Sequence, residues 1–104
     1  MDKREAVRVP VRVRAQCRAS GEVLDGLVED VSRSGMFMRI EANDLPAPLA
    51  RGSSAEIKLE VHGEQPIHCQ AEVVRIEDAG IGLRLVESNR ALANLMMRQH
   101  ATTR

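Results

Sequence analysis

The stretch Val11-Arg12-Val13-Arg14-Ala15-Gln16-Cys17-Arg18-Ala19 decides the fold class. Its apolar residues occupy every second position, with arginines and a glutamine between them, and the alternation has no fault. A period of two places successive side chains on opposite faces of a strand, so one face is buried and the arginine face is in water. Cys17 lies on the apolar face, where a packed thiol is expected rather than a reactive one. Just upstream, Pro10 fixes its own φ and holds Val9 extended. Residues 1–10 are therefore expected to form an arm that leads into this strand.

The same signal recurs downstream. After a Ser20-Gly21 turn, Glu22 to Val31 reads as a second strand with Val23, Leu27, Val28 and Val31 as its apolar content, and Asp25-Gly26 is predicted to mark a bulge. Met36, Met38 and Ile40 alternate with Phe37 and Arg39 in a third strand. Phe37 falls opposite the methionines and is expected to pack under a helix or a loop. Residues 41–52, with Asn43, Asp44, Pro46, Pro48 and Gly52, form a loop long enough to be a candidate for mobility. Ala55 to His62 is the fourth strand, and Gly63-Glu64-Gln65-Pro66 is a turn. In the fifth strand Ile67, Cys69, Ala71 and Val73 alternate before the phase slips to Val74 and Ile76, the mark of a bulge or bend that barrels require. Asp78-Ala79-Gly80 turns the chain into a sixth strand carrying Ile81, Leu83 and Leu85.

At Glu87 the period changes. Ser88 or Asn89 can cap a helix over 89–100, in which Leu92, Leu95, Met96 and Gln99 form an apolar stripe suited to covering an open end or seam. Six strands with short connections, then one helix, predict an all-β fold: a six-stranded antiparallel β-barrel with one C-terminal α-helix. Closure removes the edges that an open sheet must protect. The 104 residues divide into an arm (1–10), a barrel (11–86) and a helix with its tail (87–104), together one domain.

Formal net charge is zero, yet residues 1–18 hold six cations (Lys3, Arg4, Arg8, Arg12, Arg14, Arg18) against Asp2 and Glu5. That local +4 points to an anionic partner near the N-terminus. Arg12, Arg14 and Arg18 belong to the solvated strand face, which leaves the arm as the seat of the effect. Phe37 is the only Phe, and Trp and Tyr are missing. DNA or RNA is not expected as a partner, because single-strand binders stack bases on aromatic rings. No secretory signal and no apolar run of membrane-spanning length occurs, so a cytoplasmic location with reduced thiols and no membrane insertion is expected. No metal is expected: His62, His68 and His100 lie outside any metal-ligand spacing, and the adjacent His68 and Cys69 face opposite ways on a strand. No nucleophile elbow surrounds Ser32, and the chain is read as a binding module rather than an enzyme.

The candidate site has two pieces. One is the polar hexapeptide Asp30-Val31-Ser32-Arg33-Ser34-Gly35 between the second and third strands; the other is Arg4-Glu5-Ala6-Val7-Arg8 in the arm. Guanidinium forks bind phosphate or the O6/N7 edge of guanine and stack on bases. Asp30 can accept from the N1 and N2 donors of guanine. Ser32 offers a hydroxyl for phosphate or purine N7, and Gly35 allows positive φ and close approach of a ligand. Arg33, Ser34 and Lys3 complete the candidate ligand-binding residues. Taken alone, the hexapeptide also reads as a turn held by Asx and Ser hydrogen bonds, and the arm as a basic tail.

Together and in this order, the two motifs resemble the PilZ domain family, which is marked by Arg-x-x-x-Arg followed by Asp/Asn-x-Ser-x-x-Gly. Arg8 and Asp30 are separated here by 21 residues, inside the family's window. Arg8-Val9-Pro10-Val11, Val73-Val74-Arg75-Ile76 and Gly80-Ile81-Gly82-Leu83-Arg84 extend the resemblance over about residues 3 to 98. The resemblance implies that Arg4 and Arg8 hold the phosphates and guanine faces of cyclic di-GMP, a bacterial second messenger, while Asp30 and Ser32 read a guanine edge and Gly35 lets the loop close. Lys3 is positioned for a further phosphate contact, and its charge is expected to favour two stacked ligand molecules over one. The expected mechanism is a switch. The ligand recruits a mobile arm across the barrel rim, and an unidentified effector protein reads the new surface in trans, in motility, pilus, exopolysaccharide or developmental machinery. The alternative is a protein-interaction adaptor of the same fold that uses no nucleotide. The chain is expected to be a monomer or weak homodimer, with Met96 and Met97 as candidates for a dimer contact and Met96 better suited to covering the barrel.

Overall fold

The computed structural model describes residues 8–40 and 49–102. The expectations placed on Lys3, Arg4 and most of the 41–52 loop, and on the side chains of Gln99 and His100, lie outside the described residues. Six strands run in the order β1 (Val9–Ala19), β2 (Glu22–Val31), β3 (Gly35–Arg39), β4 (Ser54–Glu60), β5 (Ile67–Glu77) and β6 (Gly80–Leu85), followed by the helix α1 (Arg90–Thr102). They close into a barrel with neighbour order β1-β2-β3-β6-β5-β4, every pairing antiparallel. The predicted architecture and strand count are those observed.

The alternating stretch behaves as its period dictates. Val9, Val11, Val13, Ala15, Cys17 and Ala19 are buried, while Arg12, Arg14 and Arg18 are exposed. β1 starts two residues earlier than expected. Val9 pairs with Val31 and Pro10 with Asp30, a position near the strand start where the missing proline N–H is tolerated. The barrel interior is filled by Met36, Met38, Ile57, Leu59, Val28, Val31, Val73 and Ile81. Burial raises both thiols, Cys17 and Cys69, from 9.0 to about 11. They are packing groups, as the apolar face implied.

Three expectations change. The first concerns the bulge in β2. Residues 22–27 pair with β1 in unbroken register, so Asp25-Gly26 is not bulged. The irregularity lies one turn of the pleat later, between Val28 and Asp30 against β3, with a second between Pro10 and Val13 in β1. Gly26 serves closeness instead: a Cβ there would collide with the Arg39 carbonyl oxygen. The second concerns Val23, which is 52% exposed, while Leu24 takes the inward position. The third concerns Phe37. It lies half-buried on the outer wall, and among the described residues the group over its ring is the Arg75 guanidinium of β5.

The helix seals one end of the barrel. Leu92 and Leu95 are each 1% exposed and Met96 is partly buried against the core, whereas Met97 is exposed. Asn89, not Ser88, is the cap: its Oδ1 accepts from Leu92 N at 2.9 Å. Its Nδ2 also donates to the His68 carbonyl at 2.8 Å, tying the helix start to β5. The antiparallel order puts the start of β1, the end of β2, the start of β3 and the helix at the same end of the barrel.

Candidate functional site

The β2–β3 connection is organised by Ser32, which is 2% exposed. Its backbone N–H donates to the Gly35 carbonyl at 2.8 Å. Its hydroxyl oxygen accepts from Gly35 N at 3.1 Å and Ser34 N at 3.3 Å, and sits 3.3 Å from the Ser34 hydroxyl. Ser32 therefore uses its hydrogen bonds to shape the loop. Gly35 differs from expectation in its reason. It is not among the positive-φ glycines. A Cβ at Gly35 would collide with the Leu83 carbonyl oxygen, so the missing side chain lets β3 press against β6. Leu85 N donating to the Ser34 carbonyl at 2.8 Å then fastens the loop to β6. Arg33 and Ser34 are exposed on the rim of this anchored loop.

Asp30 reaches the outer wall because of the bulge. Leu24 and Val28 are buried four residues apart, but the next buried residue is Val31, three further on. The extra residue before Asp30 shifts the phase of the pleat, turning Val31 in and Asp30 out. Asp30 pairs with Pro10 on one side and Phe37 on the other. Arg8, just outside β1, brings its Nη1 to 3.4 Å from Asp30 Oδ1. That oxygen is shielded from solvent and accepts no hydrogen bond. The two motif residues, with 21 residues between them in sequence, thus meet, with one carboxylate oxygen still without a hydrogen-bond donor. A half-exposed pair of this kind contributes at most about 1 kcal/mol, so it exchanges readily for a better donor.

A further bulge, between Val73 and Arg75 in β5, does the same for Arg75. Ile67, Cys69, Ala71 and Val73 are buried, and Arg75 is then turned outward. Register places Asp30, Phe37, Gly82 and Arg75 in one row across β2, β3, β6 and β5. Arg75 Cζ stands 6.0 Å from the Phe37 ring centroid, within cation–π range, and its Nε is 2.5 Å from Glu77 Oε2. Phe37 and Arg75 were not singled out as site residues from sequence. The signals were present, in the phase slip after Val73 and a glycine at 82, but their meeting depends on a strand order that is not sequential.

A hollow of about 250 Å³ lies elsewhere, on the outer wall formed by β1, β4 and β5, between Gln16, Arg18, Glu56, Lys58, His68 and Gln70. The Asp30 row lies on a different part of the outer wall, across β2, β3, β6 and β5. Among the described residues no group of three or more His, Cys, Asp or Glu could hold a metal, and no helix is long and apolar enough to cross a membrane.

A closed six-stranded antiparallel barrel with an anchored β2–β3 loop and one C-terminal helix defines a small β-barrel domain. The sequence matches the PilZ domain family over residues 2–98, and the chain belongs to that family. No curated protein matches it by sequence. Its fold is similar to that of the inhibitor of motility MotI/DgrA from Bacillus subtilis, with a TM-score of 0.76 and 18% identity over all of this chain and 54% of that one. This chain therefore spans about half the length of MotI/DgrA. The PilZ domain of YcgR from Escherichia coli, solved with c-di-GMP, superposes with a TM-score of 0.75 and 16% identity over 93% of this chain and 88% of that one. The PilZ domain of CeSA from a cellulose-synthesizing bacterium gives 0.71 and 17% over 94% and 99%.

Proposed function

We propose that the chain is a receptor for cyclic di-GMP, a binding module rather than an enzyme, and that ligand binding changes its association with an effector protein. The observation that carries this reading is the Arg8–Asp30 contact, with Asp30 Oδ1 shielded and lacking a hydrogen-bond donor. A guanine edge supplies the missing donors. N1–H and N2–H both face a carboxylate when guanine is presented edge-on, a pairing that adenine and the pyrimidines do not match. Arg8, released from Asp30, has a planar fork for phosphate or the O6/N7 edge. Arg4 and Lys3 extend the same cationic arm, Lys3 favouring two stacked ligand molecules. Ser32 and Gly35 act by fixing the loop, and Arg33 and Ser34 stand at its rim.

The switch follows from the place of Arg8, between the arm and the start of β1. A phosphate-bearing ligand draws arm and barrel together, and the surface so formed is available only in the bound state. Since cyclic di-GMP is an intracellular messenger, the site acts in the cytoplasm. Isothermal titration with cyclic di-GMP, beside GTP and a single-stranded oligonucleotide, tests the reading. Binding is expected for cyclic di-GMP alone, and Arg8→Ala and Asp30→Ala should each abolish it while leaving the melting temperature within a few degrees. Unchanged affinity in both variants overturns the assignment and leaves the nucleotide-independent adaptor. A stoichiometry of one ligand per protomer removes the role given to Lys3.

A further inference from the structure

We propose that the Arg75 guanidinium, backed by the Phe37 ring, is the stacking plane for a purine base of the ligand. The inference rests on the cyclic di-GMP reading and adds to it residues outside the two sequence motifs. Four features converge on this plane. The β5 bulge turns Arg75 onto the outer wall. Gly82, paired with both Phe37 and Arg75, leaves the position between them empty; a Cβ there would come within 3.2 Å of the Arg75 side chain. Arg75 can therefore lie across β6 toward Phe37, with Cζ 6.0 Å from the ring centroid. The Glu77 carboxylate, 2.5 Å from Nε, holds the guanidinium by its edge, since an N–H bond lies in the plane of the group. The Arg75 side chain remains 54% exposed, which leaves surface for a base to stack on.

The row supplies the distance. Directly paired residues on neighbouring strands stand about 5 Å apart, so Asp30 and Phe37 are neighbours on the wall and the Arg75 head group lies just beyond the ring. A purine bonded through its edge to Asp30 extends over Phe37, into the space that the guanidinium plane faces. The chain has no Trp or Tyr, and its single Phe is in this row. Base binders need a flat stacking partner, and a guanidinium fixed on a ring provides one. Asp30 then supplies the choice of base and Arg75 supplies stacking, which any purine accepts.

The test compares charge with shape. In titrations with cyclic di-GMP, Arg75→Ala is expected to weaken binding about 10- to 100-fold. Arg75→Lys should weaken it by a similar factor, because lysine keeps the charge and loses the plane. Phe37→Leu should cost several-fold by removing the backing. In NMR spectra of the wild type, the Phe37 ring protons, the only phenyl signals in the protein, should shift on ligand addition. Wild-type affinity in Arg75→Lys, with binding still abolished by Asp30→Ala, overturns the stacking role while leaving the receptor reading intact. No binding by the wild type overturns both.

Discussion

Ser32 holds the geometry of the β2–β3 loop through one hydroxyl. Its oxygen accepts from two backbone N–H groups, Ser34 and Gly35, inside a loop that buries it. Ser32→Ala leaves those donors without a partner, at a cost of about 1–3 kcal/mol. Gly35→Ala forces a methyl group into the Leu83 carbonyl and should cost about as much through strain. Both variants should melt several degrees lower and bind ligand more weakly, whereas Asp30→Ala should lose binding with little change in melting. A Ser32→Ala variant that melts like the wild type and loses binding would mean that the hydroxyl touches the ligand directly. Arg8 and Asp30 were legible as candidates because Arg-x-x-x-Arg followed at this spacing by Asp-x-Ser-x-x-Gly resembles the pattern of the PilZ family. The duty of Ser32 was not, since a serine in that motif fits a ligand contact and a loop hydrogen bond equally well.

At the scale of elements, the site is made by two faults in otherwise regular strands. A pleat repeats every two residues, so a single inserted residue exchanges the inner and outer faces of all that follow. The fault before Asp30 was hidden in sequence, because Glu29, Asp30 and Val31 suit either phase and Asp25-Gly26 offered a more obvious break. The fault after Val73 was readable, because four inward residues in alternation end there. The helix follows a simpler rule. Leu92 and Leu95 recur at the spacing of one face, and their burial at the barrel end was readable from that spacing. Leu95→Ala should destabilise the domain by about 2–5 kcal/mol, as for other fully buried leucines. Asn89→Ala should cost about 1 kcal/mol through loss of the cap, plus its bond to His68. Denaturant midpoints measured for the two variants check the order. An Asn89→Ala effect equal to that of Leu95→Ala would mean that the helix is held at its start rather than by its apolar face.

For the whole molecule, closure is what converts distant residues into neighbours. β3 lies beside β6 rather than β4, so Phe37 meets Gly82 and Arg75 across a connection of more than thirty residues. That strand order could not be obtained from periodicity, which explains why the barrel was legible while half of its outer row was not. Closure also lets the recognition proposed for the arm be tested apart from stability, since every strand begins at or after Val9. A chain starting at Arg8 retains all six strands and the helix, and should melt within a few degrees of the full chain. Ligand at 100 times its dissociation constant stabilises a one-site receptor by about 2.7 kcal/mol, a rise in melting temperature on the order of 10 °C for a domain of this size. The full chain should show that rise with cyclic di-GMP, and the chain starting at Arg8 should not. An equal rise in both would place the phosphate contacts on the barrel itself, on Arg8, Arg33 and Arg75, and would remove residues 1–7 from the clamp.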